Sequence, residues 1–153
     1  MRRWFGVLVS QLLNEGENEK ALKAAEKCLA EIPAYNVPHD DSSGSLDLAR
    51  ALLVNGKAQE GNEIVDAVML SSRQYYLWYI ALPDSQFRAF YSKCLLCINE
   101  LYMAERMYLQ LADKTEDEVA RADYQQRAEA IDSDIQQLYQ SFSTRCSTLG
   151  ISV

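Results

Sequence analysis

Residues 12–33 of the chain read LLNEGENEKALKAAEKCLAEIP. Apolar side chains recur on both sides of Gly16 at the three- and four-residue spacing of an amphipathic helix. Ala21, five positions after the glycine, is small enough to let the two helices cross closely, and Pro33 ends the second apolar run. The stretch therefore predicts a helical hairpin with a turn at Gly16.

A second copy of this pattern surrounds Gly56, and Gly61 takes the small-residue position five after it. The two copies resemble the tetratricopeptide pattern of paired helices. Their turn glycines lie 40 positions apart, about six more than the ~34-residue tetratricopeptide unit, which predicts an insertion between Pro33 and Ser43. We expect repeat hairpins over about 2–33 and 44–72.

From Asp84 onward the pattern changes to two longer helices. The first begins at a cap, Asp84 or Ser85, and runs to about Ala112. Its apolar stripe is broad enough to predict burial on two sides, because it is widened by Phe90, Leu95, Tyr102 and Leu109. The pair Thr115 and Glu118 predicts a capping box that opens the last helix.

The sequence therefore predicts an all-α fold in a single domain over 1–153. Tetratricopeptide-like helical hairpins, forming an α-α superhelix, precede a long antiparallel helical pair over about 84–143. The tail over 144–153 is expected to be loose.

The aromatic run over 75–80, YYLWYI, has the composition of a strand. A helix that ends before Pro83 fits the flanking sequence better. Tyr76, Trp78 and Tyr79 are candidate contacts for a peptide or a sugar, since their rings combine apolar area with a polar group. Packing in the core is the favoured alternative.

The connection over 32–42, IPAYNVPHDDS, is stiffened by Pro33 and Pro38. A stiff loop loses little entropy on binding, so four of its residues are candidate contacts with a partner: Tyr35, Asn36, His39 and Asp40. The favoured alternative is that Tyr35 and Val37 fill the gap between the hairpins.

Charge and hydropathy exclude several classes of partner. The formal net charge of −7 argues against nucleic acid, which needs clustered Lys and Arg. The uncharged stretches over 4–14 and 74–83 are about half the length of a membrane-spanning helix. The segment over 1–13 is not read as a signal peptide, because polar residues interrupt it and it is needed as the first helix.

Catalytic and metal-binding patterns are sparse. Cys94 and Cys97 have the spacing of redox or zinc pairs, but they lie inside an apolar helical pattern, so buried thiols are the better interpretation. The single histidine and the absence of a phosphate-binding loop or nucleophile elbow argue against an enzyme. The carboxylate pairs Asp40 with Asp41 and Asp132 with Asp134 are expected on a solvated surface, and no cofactor or metal is predicted.

Three stretches carry a family resemblance: RWFG over 3–6, IPAYNVP over 32–38 and YLWY over 76–79. They resemble the carboxy-terminal tail of large bacterial multi-pass membrane proteins of uncertain function, whose membrane part is similar to protein O-mannosyltransferases of the glycosyltransferase-C type. The resemblance covers residues 2 to about 142. It implies a soluble helical-repeat module tethered to a transferase that uses a polyprenyl-phosphate sugar, on the extracytoplasmic (periplasmic) face, with the catalytic region outside this chain.

We therefore expect a non-catalytic interaction module that contacts a protein or glycan partner. One alternative is a free-standing peptide-binding adaptor, in which Arg3, Gln11, Arg50 and Asn55 hold a peptide carboxylate. Another is an accessory part that completes a transferase active site. Four cysteines without obvious pairing suit a reducing compartment, so a cytoplasmic location remains the alternative.

Overall fold

A computed structural model describes residues 1–40 and 43–152, and the secondary structure of these residues is helical without a strand. The helices are α1 (Arg2–Asn14), α2 (Asn18–Glu31), α3 (Ser45–Val54), α4 (Ala58–Ile80), α5 (Asp84–Lys114) and α6 (Glu118–Thr148). The all-α prediction is confirmed, including a helix over 75–80. Asp41, Ser42 and Val153 lie outside the described residues.

The chain forms two compact units, Met1–Ser71 and Ser72–Val153. Helix α4 begins in the first unit and ends in the second, eight residues beyond the expected end at 72.

The two hairpin turns of the first unit have the same backbone geometry. Gly16 and Gly56 both have φ of 78°, in the left-handed region that favours glycine. The amide of Glu17 donates to the carbonyl of Leu12, and that of Lys57 to Leu52, each at 2.9 Å. This pattern is the Schellman motif, which satisfies carbonyls at the end of a helix. The predicted turn glycines are confirmed.

Small residues let the helices of the first unit pack closely. Helix α1 packs against α2 and α3, and α2 also packs against α3. Ala21 is fully buried, and a Cβ added to Gly61 would lie 2.7 Å from the Cγ of Leu53. The core between these helices contains Val9, Ala21, Ala25, Cys28, Leu48 and Ala51.

A second glycine contact brings the start of α3 against α1. A Cβ on Gly6 would lie 2.9 Å from the Cα of Gly44, and a Cβ on Gly44 would lie 3.3 Å from the Cα of Arg3. The two backbones touch because neither glycine carries a side chain. One turn further along, Arg50 of α3 lies beside Ser10 of α1. The two helices therefore run side by side in the same direction.

In the second unit, α5 and α6 pack against each other as an antiparallel pair. Phe87 near the start of α5 contacts Phe142 near the end of α6 with ring centroids 6.4 Å apart, and Tyr108 contacts Tyr124 at 6.0 Å. The end of α4 joins them, since Ser72 donates to Glu100 of α5 and Arg73 pairs with Asp134 of α6. The core contains Tyr76, Phe87, Cys94, Cys97, Ile98, Phe142 and Cys146.

Helix α5 packs against both α6 and the end of α4, but the expected widening of its buried stripe is only partly right. Leu95 packs against the core, whereas Phe90, Tyr102 and Leu109 are 48%, 46% and 43% exposed. The N-cap of α5 is Pro83 rather than Asp84 or Ser85.

The expected start and end of the last helix are also wrong. The carboxylate of Asp117, not the side chain of Thr115, caps α6 by accepting from the amides of Val119 (2.9 Å) and Ala120 (3.3 Å). Residues 144–148 are helical rather than loose, and Cys146 is fully buried. The helix ends at a third Schellman turn, where Gly150 has φ of 65° and the amide of Ile151 donates to Cys146 at 2.9 Å.

Replacing Gly6 by Ala tests the contact between α1 and α3. Inside an ordinary helix this change stabilises a protein by about 0.5–1 kcal/mol. Here the new methyl group meets the backbone of Gly44, so we expect G6A to lower the free energy of unfolding by about 1–3 kcal/mol. Urea denaturation followed by circular dichroism measures it.

The control is Lys23→Ala, an exposed change on α2 that should stay within about 0.5 kcal/mol of the wild type. A stabilised G6A protein would show that α1 and α3 do not approach this closely.

Candidate functional site

The buried guanidinium of Arg2 fixes the connection between α2 and α3. Arg2 is 2% exposed, and it donates to the carbonyls of Ile32 (2.8 Å), Val37 (2.6 Å) and Pro38 (2.9 Å). Its planar array of donors suits three separate acceptors, which the single ammonium of a lysine would not reach together. Both ends of the Pro33 to Pro38 segment are thereby held against the start of α1.

The predicted loop contacts have two different environments. Tyr35 is 86% exposed, so it does not fill a gap between the hairpins, and Asn36 beside it is also exposed. His39 is half-buried and its Nδ1 lies 2.9 Å from the Oγ of Ser45. Burial, and then the charge of Arg2, lowers the pKa of His39. Asp40 accepts from the amide of Ser43 at 2.7 Å. His39 and Asp40 thus lead the chain into α3, whereas Tyr35 and Asn36 face solvent.

The predicted aromatic platform does not form one surface. Tyr76 is 1% exposed, and its hydroxyl lies 2.6 Å from the carbonyl of Leu138 and 2.5 Å from the Oγ of Ser141. Trp78 is 60% exposed and meets the half-buried Tyr79 edge-on, with ring centroids 4.9 Å apart. Tyr76 belongs to the core, and Trp78 faces solvent.

The residues expected to hold a peptide carboxylate do not act together, because each forms hydrogen bonds with a different part of the fold. The side-chain amide of Asn55 donates to the carbonyls of Ala51 (2.8 Å) and Asn18 (3.0 Å), which ties the end of α3 to the start of α2. Gln11 donates to Glu15, the residue that caps the end of α1, at 2.7 Å. Arg50 makes one long hydrogen bond, 3.4 Å from its Nη2 to the Oγ of Ser10. Its buried Nε has no partner among the described residues.

Helix α1 presents an apolar strip to solvent beside α3. Trp4, Val7 and Leu8 are 76%, 56% and 48% exposed, and their spacing places them on one side of the helix. Arg50 adjoins the strip, because its partner Ser10 lies one turn beyond Val7. Val54, 39% exposed, lies one turn further along α3. We call Trp4, Val7, Leu8, Arg50 and Val54 the α1–α3 face.

The α1–α3 face has a signal in the sequence, although Trp4, Val7 and Leu8 are not among the predicted contacts. Helix α1 carries two apolar sets at helical spacing: Phe5, Val9 and Leu12 belong to the core cluster, and Trp4, Val7 and Leu8 form the second set. A helix that packs on one side needs only one set.

Asp47 adds a partly buried carboxyl group at the edge of this face. Burial raises the pKa of Asp47, against the opposing effects of Arg50 and of a hydrogen bond from Ser10. Asp47 and Arg50 both lie on α3, three residues apart. The face therefore combines apolar area with charged groups at one margin.

The cysteine thiols are buried in the fold, and the carboxylates of Asp132 and Asp134 interact with neighbouring side chains. The four cysteines are free and buried, which confirms the interpretation as buried thiols. Burial, with the neighbouring Cys146, raises the pKa of Cys94 to about 11, so its nucleophilic thiolate is scarce at neutral pH. Asp132 accepts from Gln136 and Asp134 pairs with Arg73. Asp41 lies outside the described residues.

Over residues 1–40 and 43–152, no group of three or more His, Cys, Asp or Glu side chains is placed to hold a metal ion. Within the same residues, no helix is both long enough and apolar enough to cross a membrane.

Comparison of the chain with protein-family models, with curated proteins and with solved structures finds no match.

Replacing Arg2 by Met tests whether its guanidinium fixes the loop. The change leaves three carbonyls without their charged donor, so we expect the free energy of unfolding to fall by about 2–3 kcal/mol. Chymotrypsin should also cut faster after Tyr35, which becomes more mobile. Denaturation curves and timed proteolysis measure both effects.

The matched control is Arg3→Met, because Arg3 is the exposed neighbour of Arg2. Equal stability and equal cleavage rates for R2M and R3M would refute the role given to Arg2.

Proposed function

We propose that this chain is a non-catalytic, tetratricopeptide-like interaction module that binds a segment of a partner protein on the α1–α3 face. The observation that carries the proposal is the exposure of Trp4, Val7 and Leu8 together on one side of α1. Single exposed apolar residues are normal on protein surfaces, whereas a contiguous group with polar margins is typical of an interaction site.

The repeated geometry of the first unit supports a helical-repeat scaffold. The two hairpins turn at glycines with the same φ and the same pair of hydrogen bonds. Helices α1 and α3 lie side by side in the same direction, as the contacts of Gly6 with Gly44 and of Ser10 with Arg50 indicate. Stacked repeats of this kind use one layer of helices as an extended binding surface.

The face also indicates the chemistry of its partner. Trp4 and Leu8 offer apolar area for a large aliphatic or aromatic side chain. Arg50 keeps donor capacity because its hydrogen bond to Ser10 is long and neutral, and burial keeps the pKa of the neighbouring Asp47 raised. Guanidinium groups bind carboxylates strongly. The partner segment therefore carries a large apolar side chain close to an acidic group.

The proposal extends to the larger protein that the sequence resembles. The module is the soluble tail of a bacterial glycosyltransferase-like membrane protein, on the extracytoplasmic side. Two of the three resembling stretches have defined places in the fold: the 3–6 stretch includes Trp4 of the α1–α3 face, and the 32–38 stretch forms the loop held by Arg2. An in-frame upstream DNA sequence that encodes membrane-spanning helices is the expected result, and its absence would favour the free-standing adaptor.

The binding proposal predicts that a peptide display library yields ligands for the α1–α3 face. Twelve-residue peptides selected on the wild-type chain should share a large apolar residue next to Asp or Glu. The double variant Trp4→Ser/Leu8→Ser removes apolar area that is already exposed, so it should fold normally. It should bind these peptides at least about tenfold more weakly, a loss of about 1.4 kcal/mol. Isothermal titration calorimetry measures the affinities.

A matched control is Leu77→Ser/Trp78→Ser, which removes one leucine and one tryptophan of similar exposure from α4. It should bind like the wild type. Failure to enrich any peptide, or equal binding by the Trp4/Leu8 variant, would contradict the proposal.

A further inference from the structure

The second unit contains a cavity of about 640 Å³, open to solvent, that the α1–α3 face does not involve. This volume lies within the range of about 300–1,000 Å³ that is typical of small-molecule sites. One wall is a stripe of α6 formed by Gln137, Gln140, Ser141, Thr144, Arg145 and Thr148. Ile80 of α4, Asp84 of α5 and Leu149 complete the lining.

The α6 stripe is polar and exposed. Its members are spaced by three and four residues, so they share one side of the helix. Five of the six are uncharged polar residues, and these five are exposed. The stripe therefore presents hydrogen-bonding groups to the cavity.

Two hydroxyl groups of this stripe are arranged as acceptors. Thr144 donates to the carbonyl of Gln140 and Thr148 to that of Thr144, each at 2.9 Å, whereas Ser141 is already paired with the hydroxyl of Tyr76. Since a hydroxyl has one hydrogen and two lone pairs, the two Thr oxygens remain able to accept from a ligand. The side-chain amides of Gln137 and Gln140 are exposed, and each both donates and accepts.

The cavity is close to electrically neutral. Its charged lining residues, Asp84 and Arg145, pair with each other at 3.2 Å. Arg145 also donates to the carbonyl of Leu82 at 2.6 Å, and its guanidinium lies 4.8 Å from the centre of the Phe87 ring. A phosphate or an ammonium group would meet an attractive and a repulsive charge side by side, so neither is favoured.

From this lining we infer that the cavity binds a neutral polyol of the size of a small saccharide. Hydroxyl groups of such a ligand donate to the oxygens of Thr144 and Thr148, and accept from the amides of Gln137 and Gln140. Ile80 and Leu149 provide apolar contact for its C–H surface. An extended peptide fits less well, because its side chains alternate between two sides and one helical wall meets only half of them.

A glycan array with the labelled full-length chain tests this inference. We expect retention of one class of neutral glycan, confirmed in solution by shifts of the Gln137 and Gln140 side-chain amide signals on NMR titration. The double variant Gln140→Ala/Thr144→Val changes two exposed residues and should weaken binding at least about fivefold, since it removes two hydrogen-bonding groups. The control Gln126→Ala/Ser143→Ala, on the same helix but outside the cavity lining, should bind like the wild type.

No retained glycan, or equal retention by the Gln140/Thr144 variant, would overturn the inference. Amide shifts caused by inorganic phosphate instead of a saccharide would also overturn it, because they would show an anion site. The Trp4→Ser/Leu8→Ser variant separates this inference from the proposed peptide site: it should lose peptide binding and keep glycan binding.

Discussion

The arrangement of the first unit depends on one buried cation, the guanidinium of Arg2. Burying an arginine is unfavourable unless its donors are satisfied. Here three carbonyls of the loop between α2 and α3 accept from its two Nη atoms, and its Nε has no partner among the described residues. The loop is thereby held at the start of α1, which allows Gly44 to reach Gly6. As a consequence α1 and α3 lie side by side, and the outer side of α1 stays uncovered.

The two units offer surfaces of different chemistry. The α1–α3 face is an apolar strip with Arg50 and the carboxyl group of Asp47 at its margin, suited to the side chains of a protein segment. The cavity of the second unit is lined by amides and hydroxyls with balanced charge, suited to a neutral polyol. Because neither surface uses the chemistry of the other, an interaction module with both would bind two kinds of ligand without competition between them.

Local features of the fold were predictable from the sequence, and features set by distant contacts were not. Periodicity and the turn glycines Gly16 and Gly56 located the hairpins, because such turns depend on a few adjacent residues. Gly150 has a positive φ like these turn glycines, yet the tail over 144–153 was expected to be loose. The roles of Arg2 and Gly6 depend on the loop and on Gly44, 30 or more positions away, so no local pattern indicates them. The exposure of Trp4 likewise depends on which helices pack against α1.

Hydrogen exchange of the loop amides in the unmodified protein tests the central claim most directly. The amides of Asn36 and Val37 donate to the carbonyl of Pro33 at 3.0 and 3.1 Å, in a loop otherwise exposed to solvent. If Arg2 holds this loop in one conformation, NMR should show both amides exchanging at least about 100-fold more slowly than in an unstructured peptide. Exchange at the unprotected rate, while the amides of α1 remain protected, would show that the loop is not fixed and would contradict the account.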